Sequence, residues 1–215
     1  MGMAGKILGE AKIPSVLSGH DLPPDNRHAH AFYLPEDSND DGYIDRLTVY
    51  LPGTIGQDCH RVLARLTCLW NADGGNWRLL LEHIGGIGEG RMSPLVGVGT
   101  VWVSRTPYLH PWHTKKNFRV EDQIRRECRE RGFPAVANLD RLPAIRVNGR
   151  ELRPIHFHRF RSKRDLTQPD ARGSFWRIEF VEPIQGPLAL GFGCHFGLGM
   201  FRMIPPGRAA AARQR

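Results

Sequence analysis

The 215-residue chain has no apolar run of the length that a membrane-spanning helix needs. Such a helix takes about 18 consecutive apolar residues, whereas the longest apolar stretch, Leu188 to Phe201, is interrupted by four glycines and a histidine. The first residues also lack the basic start, apolar middle and small-residue cleavage site of a signal peptide. The sequence therefore predicts a protein with no membrane partner.

Cysteine is scarce and scattered: Cys59, Cys68, Cys128 and Cys194. No two of them form a C-x-x-C pair, which excludes a zinc knuckle and a thioredoxin-like motif. The glycines at 85–90 lack the G-x-G-x-x-G spacing of a dinucleotide site. Because scattered cysteines without a signal peptide are typical of reduced thiols, we expect a cytoplasmic protein with no cofactor.

Lysine is rare, since only five of the 30 Lys and Arg residues are lysine. The net charge of +8 is also uneven. Residues 1–104 carry a balance of −4, residues 105–172 carry 17 basic against 8 acidic residues, and residues 173–215 carry +3. A GC-rich genome would also explain the excess of arginine, so the clustering carries more weight than the ratio. A localised positive field predicts a polyanionic partner, and the planar arginine fork suits phosphates and bases.

Short apolar segments between glycines and prolines predict an α+β fold. Strands are predicted at 30–34, 43–50, 77–83, 99–103, 144–147, 153–161 and 174–180, and helices at 57–70 and 120–131. Each half thus holds one main helix and three or four strands, which suggests two tandem ferredoxin-like domains. The predicted organisation is an extended lead-in at 1–27, a first domain at 28–108, a second domain at 109–204 with a glycine-rich loop at 186–199, and a tail at 205–215.

Two H-x-H motifs, at His28/His30 and His156/His158, bring imidazoles two residues apart. In a strand, residues i and i+2 face the same side, so each pair can address one site. An acid–base pair, two metal ligands, or one hydrogen-bonded histidine beside an exposed one all fit the spacing. Ala and Phe stand where two-histidine phosphoesterases need Ser or Thr. A metallohydrolase would need a nearby Asp-His continuation, which residues 31–33 do not supply, so we expect no metal.

The acidic segment 37–45 matches the first half of a calcium loop, with oxygen donors at positions 1, 3, 5 and 9 and Gly42 at position 6. Position 12, where a bidentate Glu is needed, is Thr48. The flanking residues also have strand rather than helix composition. A solvated acidic turn is the preferred interpretation and a calcium site the alternative.

The glycine-rich loop 186–199 is the most informative segment. Glycine weakens strands and helices but permits positive φ and close approach of backbone N–H groups to a phosphate. The alternative is a bulged strand that packs tightly on a neighbour.

Five blocks together resemble a known family. They are Arg27 to Asp37 followed by Asp41 to Asp45, Trp102 to Pro107, Arg126 to Pro134, Gly186 to Gly191, and His195 to Phe201. In this order they are similar to the processing half of the type I-G (formerly I-U) CRISPR subunit. The resemblance implies tandem ferredoxin-like, RNA-recognition-like (RAMP) domains with a C-terminal glycine-rich loop, and metal-independent cleavage of CRISPR repeat RNA. The implied partners are the repeat or guide RNA and the other subunits of a type I effector complex.

The implied reaction is attack of a ribose 2′-OH on the adjacent phosphorus, which needs a base, an acid and cations. The residues expected to supply the acid–base chemistry are His28, His30, His20 and Tyr33, with His113 as a further candidate. The residues expected to bind RNA are Arg27, Arg105, His113, Lys115, Lys116, Arg125, Arg126, Arg159, Arg161, Lys163 and Arg164, with Gly191, Gly193, His195, Gly197 and Gly199 of the loop. Phe157, Phe160 and Trp112 are expected either to stack an unpaired base or to pack in the core.

Two other classes of function remain open. A non-catalytic guide-RNA-binding subunit would use the same basic surface without an imidazole pair. A metal-dependent phosphoesterase would use the two H-x-H motifs as ligands.

Overall fold

A computed structural model describes residues 6–9, 13–22, 28–70, 75–89, 93, 95–157, 162–163, 166–167 and 172–205. It divides into two compact units, the first made of Met1–Phe32 and Val49–Gly90 and the second of Tyr33–Thr48 and Arg91–Arg215. No helix in the described ranges is long and apolar enough to cross a bilayer.

The fold is α+β, with short helices and mostly antiparallel strands. The helices are α1 (Ser15–Ser18), α2 (Gln57–Ala64) and α3 (Val120–Glu130). The strands are β1 (Phe32–Glu36), β2 (Arg46–Tyr50), β3 (Cys68–Trp70), β4 (Asn76–Arg78), β5 (Val98–Ser104), β6 (Tyr108–Leu109), β7 (Val136–Leu142), β8 (Ile145–Val147), β9 (Arg150–Leu152), β10 (Ser162–Lys163), β11 (Leu166–Thr167), β12 (Gly173–Gln185), β13 (Leu188–Ala189) and β14 (Met200–Met203). Short 3-10 helices occur at Pro154–Phe157 and Cys194–Phe196.

The second unit is built on a six-stranded sheet in the order β13-β14-β5-β12-β6, with β7 pairing β12 as well. The long strand β12 is antiparallel to β5, β6 and β7. This pairing crosses the domain boundary predicted after residue 108, because β5 precedes that boundary and β12 follows it. The division into units therefore differs from the predicted one, which rested on the number of helices and strands in each half of the sequence.

Helix α3 packs on this sheet through Ile124 and Cys128, which are 0% and 1% exposed. They join a core that contains the fully buried rings of Trp102, Trp176 and Phe201. Burial of each such large side chain contributes about 2–3 kcal/mol to the free energy of unfolding. The helix predicted over 120–131 is thus confirmed, and Gly132, at φ 73°, follows its end as the sequence predicted.

The helix predicted over 57–70 is wrong beyond Ala64. Helix α2 ends there, and Cys68–Trp70 forms β3, which pairs with β4. The apolar residues of this segment have helical spacing, but residues 68–70 form hydrogen bonds with a neighbouring strand and are therefore extended. The predicted strand 77–83 is correspondingly short, since β4 ends at Arg78.

The strand predicted over 153–161 is also wrong where it is described. Pro154–Phe157 form a 3-10 helix, closed by the amide of His156 donating to the Arg153 carbonyl at 3.0 Å. Proline cannot donate to a strand ladder, which disfavours a strand here. His156 therefore lies in a 3-10 helix instead of a strand, and His158 lies outside the described ranges.

Candidate nucleic-acid interface

A groove of about 410 Å³ at the start of α3 gathers positive charge. It is lined by Thr114, Lys115, Lys116, Arg119, Val120, Glu121, Arg141 and Trp176. We call this set the cationic groove. Four of its side chains are basic and one is acidic, and the basic ones are all exposed. Because it combines like charge with an open surface, the groove can hold a polyanion.

Local structure brings these cations together from separated parts of the sequence. Lys115 pairs with Phe118 in a tight turn, which leads directly to Arg119 at the start of α3. Arg141 reaches the groove from β7, where it lies opposite Trp176 of β12. Sequence reasoning identified the two lysines but missed Arg119 and Arg141. The burial pattern of β7 does not alternate, so periodicity gives no signal for Arg141, and its neighbour across the sheet could not be predicted either.

Two other predicted RNA-binding arginines of α3 have intramolecular partners. Arg125 donates to the carbonyl of Val136, and Arg126 pairs with Glu130 at 2.7 Å. The Arg126 guanidinium also lies 4.9 Å from the centre of the Trp112 ring. Both arginines remain exposed, but neither lines the cationic groove, and the charge of Arg126 is paired with Glu130.

The glycine-rich loop 186–199 has the backbone conformation that its composition predicts. Gly191, Gly193, Gly197 and Gly199 all have positive φ. At Gly199 a Cβ would lie 1.7 Å from the Leu190 carbonyl oxygen, so no other residue fits. The glycines therefore permit close packing of the loop on itself.

Many amides of this loop already have acceptors within the protein. Phe192 donates to the Leu109 carbonyl, Gly199 to Pro107, and Phe196 to Gly193. These bonds favour tight packing on neighbouring segments over an open phosphate cradle, but Cys194–Phe196 form a 3-10 helix and not the bulged strand of that alternative. His195, expected to bind RNA, retains 8% of its accessible surface.

The end of α3 holds this loop through a buried carboxylate. The Gly191 amide lies 3.0 Å from both carboxylate oxygens of Glu127, and Arg131 approaches the same carboxylate at 3.4 Å. Arg131 also donates to the Ala189 carbonyl. We call Glu127, Arg131 and Gly191 the loop latch.

Burial controls the protonation of the groups around the loop latch. Burial raises the pKa of Glu127, an effect that Arg131 and the Gly191 amide only partly offset. Burial and the neighbouring Glu127 carboxylate likewise raise the pKa of the Tyr108 phenol. Burial therefore disfavours the charged forms of both groups, while the hydrogen bonds from Gly191 and Arg131 hold the Glu127 carboxyl in place.

The histidines predicted to act in catalysis lie in the first unit. His28 and His30 are half-buried and His20 is exposed. They precede β1 instead of lying in it, because the ladder begins only at Phe32, so the argument from a shared strand face does not apply. The segment after α1 nevertheless packs on His30, since a Cβ at Gly19 would lie 2.9 Å from its ring. This packing brings the chain that carries His20 close to His30.

An aromatic pair lies at the glycine-rich loop. The rings of Tyr33 and Phe196 are stacked with centroids 6.2 Å apart and an interplanar angle of 9°. Phe196 is 60% exposed, so an open aromatic surface faces outward beside the pair. The predicted stacking residues differ from it: Phe157 packs edge-on against Phe175 at 5.9 Å, and Trp112 lies against Phe118 and Arg126.

Arg105, predicted to hold a phosphate, pairs with the acidic turn 37–45. Its guanidinium lies 2.9 Å from the Asp40 carboxylate and 4.0 Å from that of Asp37. The Ser38 amide and hydroxyl donate to Asp45, which lowers the pKa of that carboxyl. Because an arginine supplies positive charge to the turn, the geometry favours the solvated acidic turn over the calcium alternative.

Two of the remaining predicted residues, His113 and Lys163, lie in the described ranges. His113 is exposed just before the cationic groove. Lys163 lies in β10. Arg27, Arg159, Phe160, Arg161 and Arg164 lie outside the described residues.

In comparisons with known proteins, no family model, no curated protein and no solved structure matches the chain.

Proposed function

We propose that the chain is a metal-independent endoribonuclease that cleaves CRISPR repeat RNA in a precursor transcript and retains the 3′ handle within a type I effector complex. The proposal rests on the resemblance to the processing half of the type I-G subunit. The structural observation that supports it best is the cationic groove, where four exposed cations surround one acidic side chain. We further propose that the α+β units are ferredoxin-like domains of the RNA-recognition-like type.

RNA would bind along the cationic groove through its phosphates. Proteins recognise an A-form RNA stem mainly by its shape and by contacts to its phosphate groups. Lysine and arginine side chains on an open surface can make such phosphate contacts. The exposed face of Phe196 offers a stacking surface for an unpaired base near the stem. Affinity should then depend strongly on salt concentration.

In the proposed reaction, one imidazole of His20, His28 and His30 removes the proton from the ribose 2′-OH. The 2′-oxygen then attacks the adjacent phosphorus, and the bond from phosphorus to the 5′-oxygen breaks. A second imidazole, or Tyr33, protonates the departing 5′-oxygen. The products are a 2′,3′-cyclic phosphate and a 5′-OH, so no water or metal takes part in the transfer.

A non-catalytic guide-RNA-binding subunit is the second candidate. It is favoured by one observation, that the cationic groove and Phe196 both belong to the second unit, whereas His20, His28 and His30 belong to the first. A guide-RNA-binding function would need only the cationic groove and Phe196.

Incubation of a labelled CRISPR repeat RNA with the protein in EDTA tests the proposal. We expect cleavage at one position. The 3′ end of the product should resist alkaline phosphatase, because a 2′,3′-cyclic phosphate is a diester that this enzyme does not hydrolyse. Binding without cleavage would support the second candidate, and cleavage only after addition of a divalent metal would overturn the metal-independent mechanism.

A further inference from the structure

A pocket of about 230 Å³ in the second unit lies away from the cationic groove. The acidic turn 37–45 forms one side of it, with Glu36, Leu95, Val147, Leu152, Phe157, Met200 and Arg202 among the other lining residues. Most of these side chains are apolar. A ligand that enters must therefore have an apolar part as well as whatever polar group the pocket selects.

Glu36 is the unusual member of this lining. It retains only 8% of its accessible surface. Its Oε1 accepts a hydrogen bond from the Ser93 hydroxyl at 2.5 Å, whereas its buried Oε2 has no hydrogen-bond partner among the described residues. A buried carboxylate oxygen without a donor is costly, so such an atom beside a pocket indicates that a ligand supplies the donor.

The charges around the pocket indicate the sign of that donor. Three carboxylates line the pocket, those of Glu36, Asp37 and Asp40, against the two basic residues Arg105 and Arg202. Both arginines approach Asp40, at 2.9 and 3.5 Å, so their charge is directed to the turn and not to Glu36. The excess of negative charge repels a phosphate and attracts a cation.

We propose that this pocket binds the guanidinium group of an arginine side chain presented by a partner polypeptide. The guanidinium donates to Oε2 of Glu36, and the apolar stem of the arginine lies against Val147 and Leu152. A guanidinium is planar and weakly hydrated, and it stacks on aromatic faces. Phe157 is available at the pocket for this stacking, and its contact with Phe175 holds the ring in position.

The probe for the test is N-acetyl-L-arginine amide, titrated into the full chain and followed by NMR of the protein. A fragment of this size is expected to bind with a dissociation constant of about 1 mM. The matched control ligand is N-acetyl-L-citrulline amide, which has nearly the same shape and no charge, and it should bind at least about tenfold more weakly. Equal binding of the two ligands would overturn the proposal.

Two variants locate the binding. Glu36→Gln keeps an acceptor for Ser93 but places an amide N–H₂ where the cation would donate, so arginine binding should fall at least about tenfold. Val147→Phe fills the pocket and should abolish binding while Glu36 keeps its charge. Glu182→Gln removes an exposed charge from β12 and should leave binding unchanged.

The thermal transition of each variant is measured without ligand, to separate loss of binding from loss of folding. Because Glu36→Gln removes a buried charge, we expect its melting temperature to equal or exceed that of the wild-type protein. A folded Glu36→Gln variant that still binds the arginine probe at wild-type strength would contradict the proposal.

Discussion

The two ends of α3 hold charged residues in contrasting environments. At the N-terminal end, Lys115, Lys116 and Arg119 are exposed, and they form no ion pair within the described part of the chain. At the C-terminal end, Glu127 and Arg131 are largely buried, and both bind the glycine-rich loop. The charges at the N-terminal end are available to a ligand, whereas Glu127 and Arg131 at the C-terminal end bind groups within the protein. Both ends carry basic residues, so intramolecular partners, not composition, separate the two roles.

The largest expected effect is on the folding of the glycine-rich loop that the latch holds. Gly199→Ala should lower the free energy of unfolding by about 3 kcal/mol or more, because the new Cβ would collide with the Leu190 carbonyl oxygen. Gly132→Ala is the matched control, since Gly132 has positive φ but its new Cβ would meet no atom within 4 Å, and it should cost about 1 kcal/mol. Urea denaturation measures both. Equal losses would show that close packing of the loop has no special role.

The second effect concerns the exposed end. Replacing Lys115, Lys116, Arg119 and Arg141 together by Gln should weaken binding of repeat RNA about 100-fold and reduce the salt dependence of log Kd by about three. The charge-matched control replaces four exposed cations of the first unit, Lys6, Arg61, Arg65 and Arg78. Fluorescence anisotropy over a range of salt concentrations measures both. A larger loss in the control than in the groove variant would move the RNA site to the first unit.

A third, smaller effect tests the aromatic surface beside the loop. Phe196→Leu should weaken binding of an unpaired RNA segment about tenfold, because a stacked base contributes about 1–3 kcal/mol. Phe157→Leu serves as the control, since Phe157 is half-buried against Phe175. Should both variants bind RNA like the wild-type protein, Phe196 would be an exposed residue without a role in binding.

The smallest expected effect is a pH dependence of the free energy of unfolding, caused by Glu127 at the C-terminal end of α3. The pKa of Glu127 is raised above its ordinary value of 4.5, so the folded state favours the protonated form. The stability that this group contributes is present at low pH and is lost as pH rises from 4.5 through the raised value, with a slope of at most about 1.4 kcal/mol per pH unit. Glu127→Gln should therefore gain stability relative to the wild-type protein as pH rises. Urea denaturation at several pH values measures the difference. A variant that loses stability relative to the wild-type protein as pH rises would contradict the assigned direction.

Local patterns predicted those parts of the fold that depend on a few neighbouring residues. The bounds of α3 and its stop before Gly132 follow from helical spacing and a glycine C-cap. Strand β5 was predicted within a residue at each end from its β-branched composition. By contrast, neither the strand β7 nor the pairing of β12 with β5, β6 and β7 was predicted. These pairings join residues far apart in the sequence, and the spacing of apolar residues carries no information about them.

The candidate site shows the same limit. The lysines of the cationic groove were identified because they lie in a basic segment, but Arg141 joins them only through the pairing of β7 with β12. Arg105 looked similar to them in sequence, yet the acidic turn that neutralises it lies about 65 residues earlier. The H-x-H argument failed at His28 and His30 because it assumed a strand, and the strand begins two residues later.

The rate of repeat-RNA cleavage by a variant lacking His20, His28 and His30 tests the proposed function most directly. With all three replaced by Ala, the rate in EDTA should fall by at least about 100-fold, whereas RNA affinity should stay within about threefold of the wild-type value. His60→Ala, which removes an exposed imidazole on α2, is the control and should cut normally. A triple variant that cleaves at the wild-type rate would contradict the assignment of the chemistry to these imidazoles.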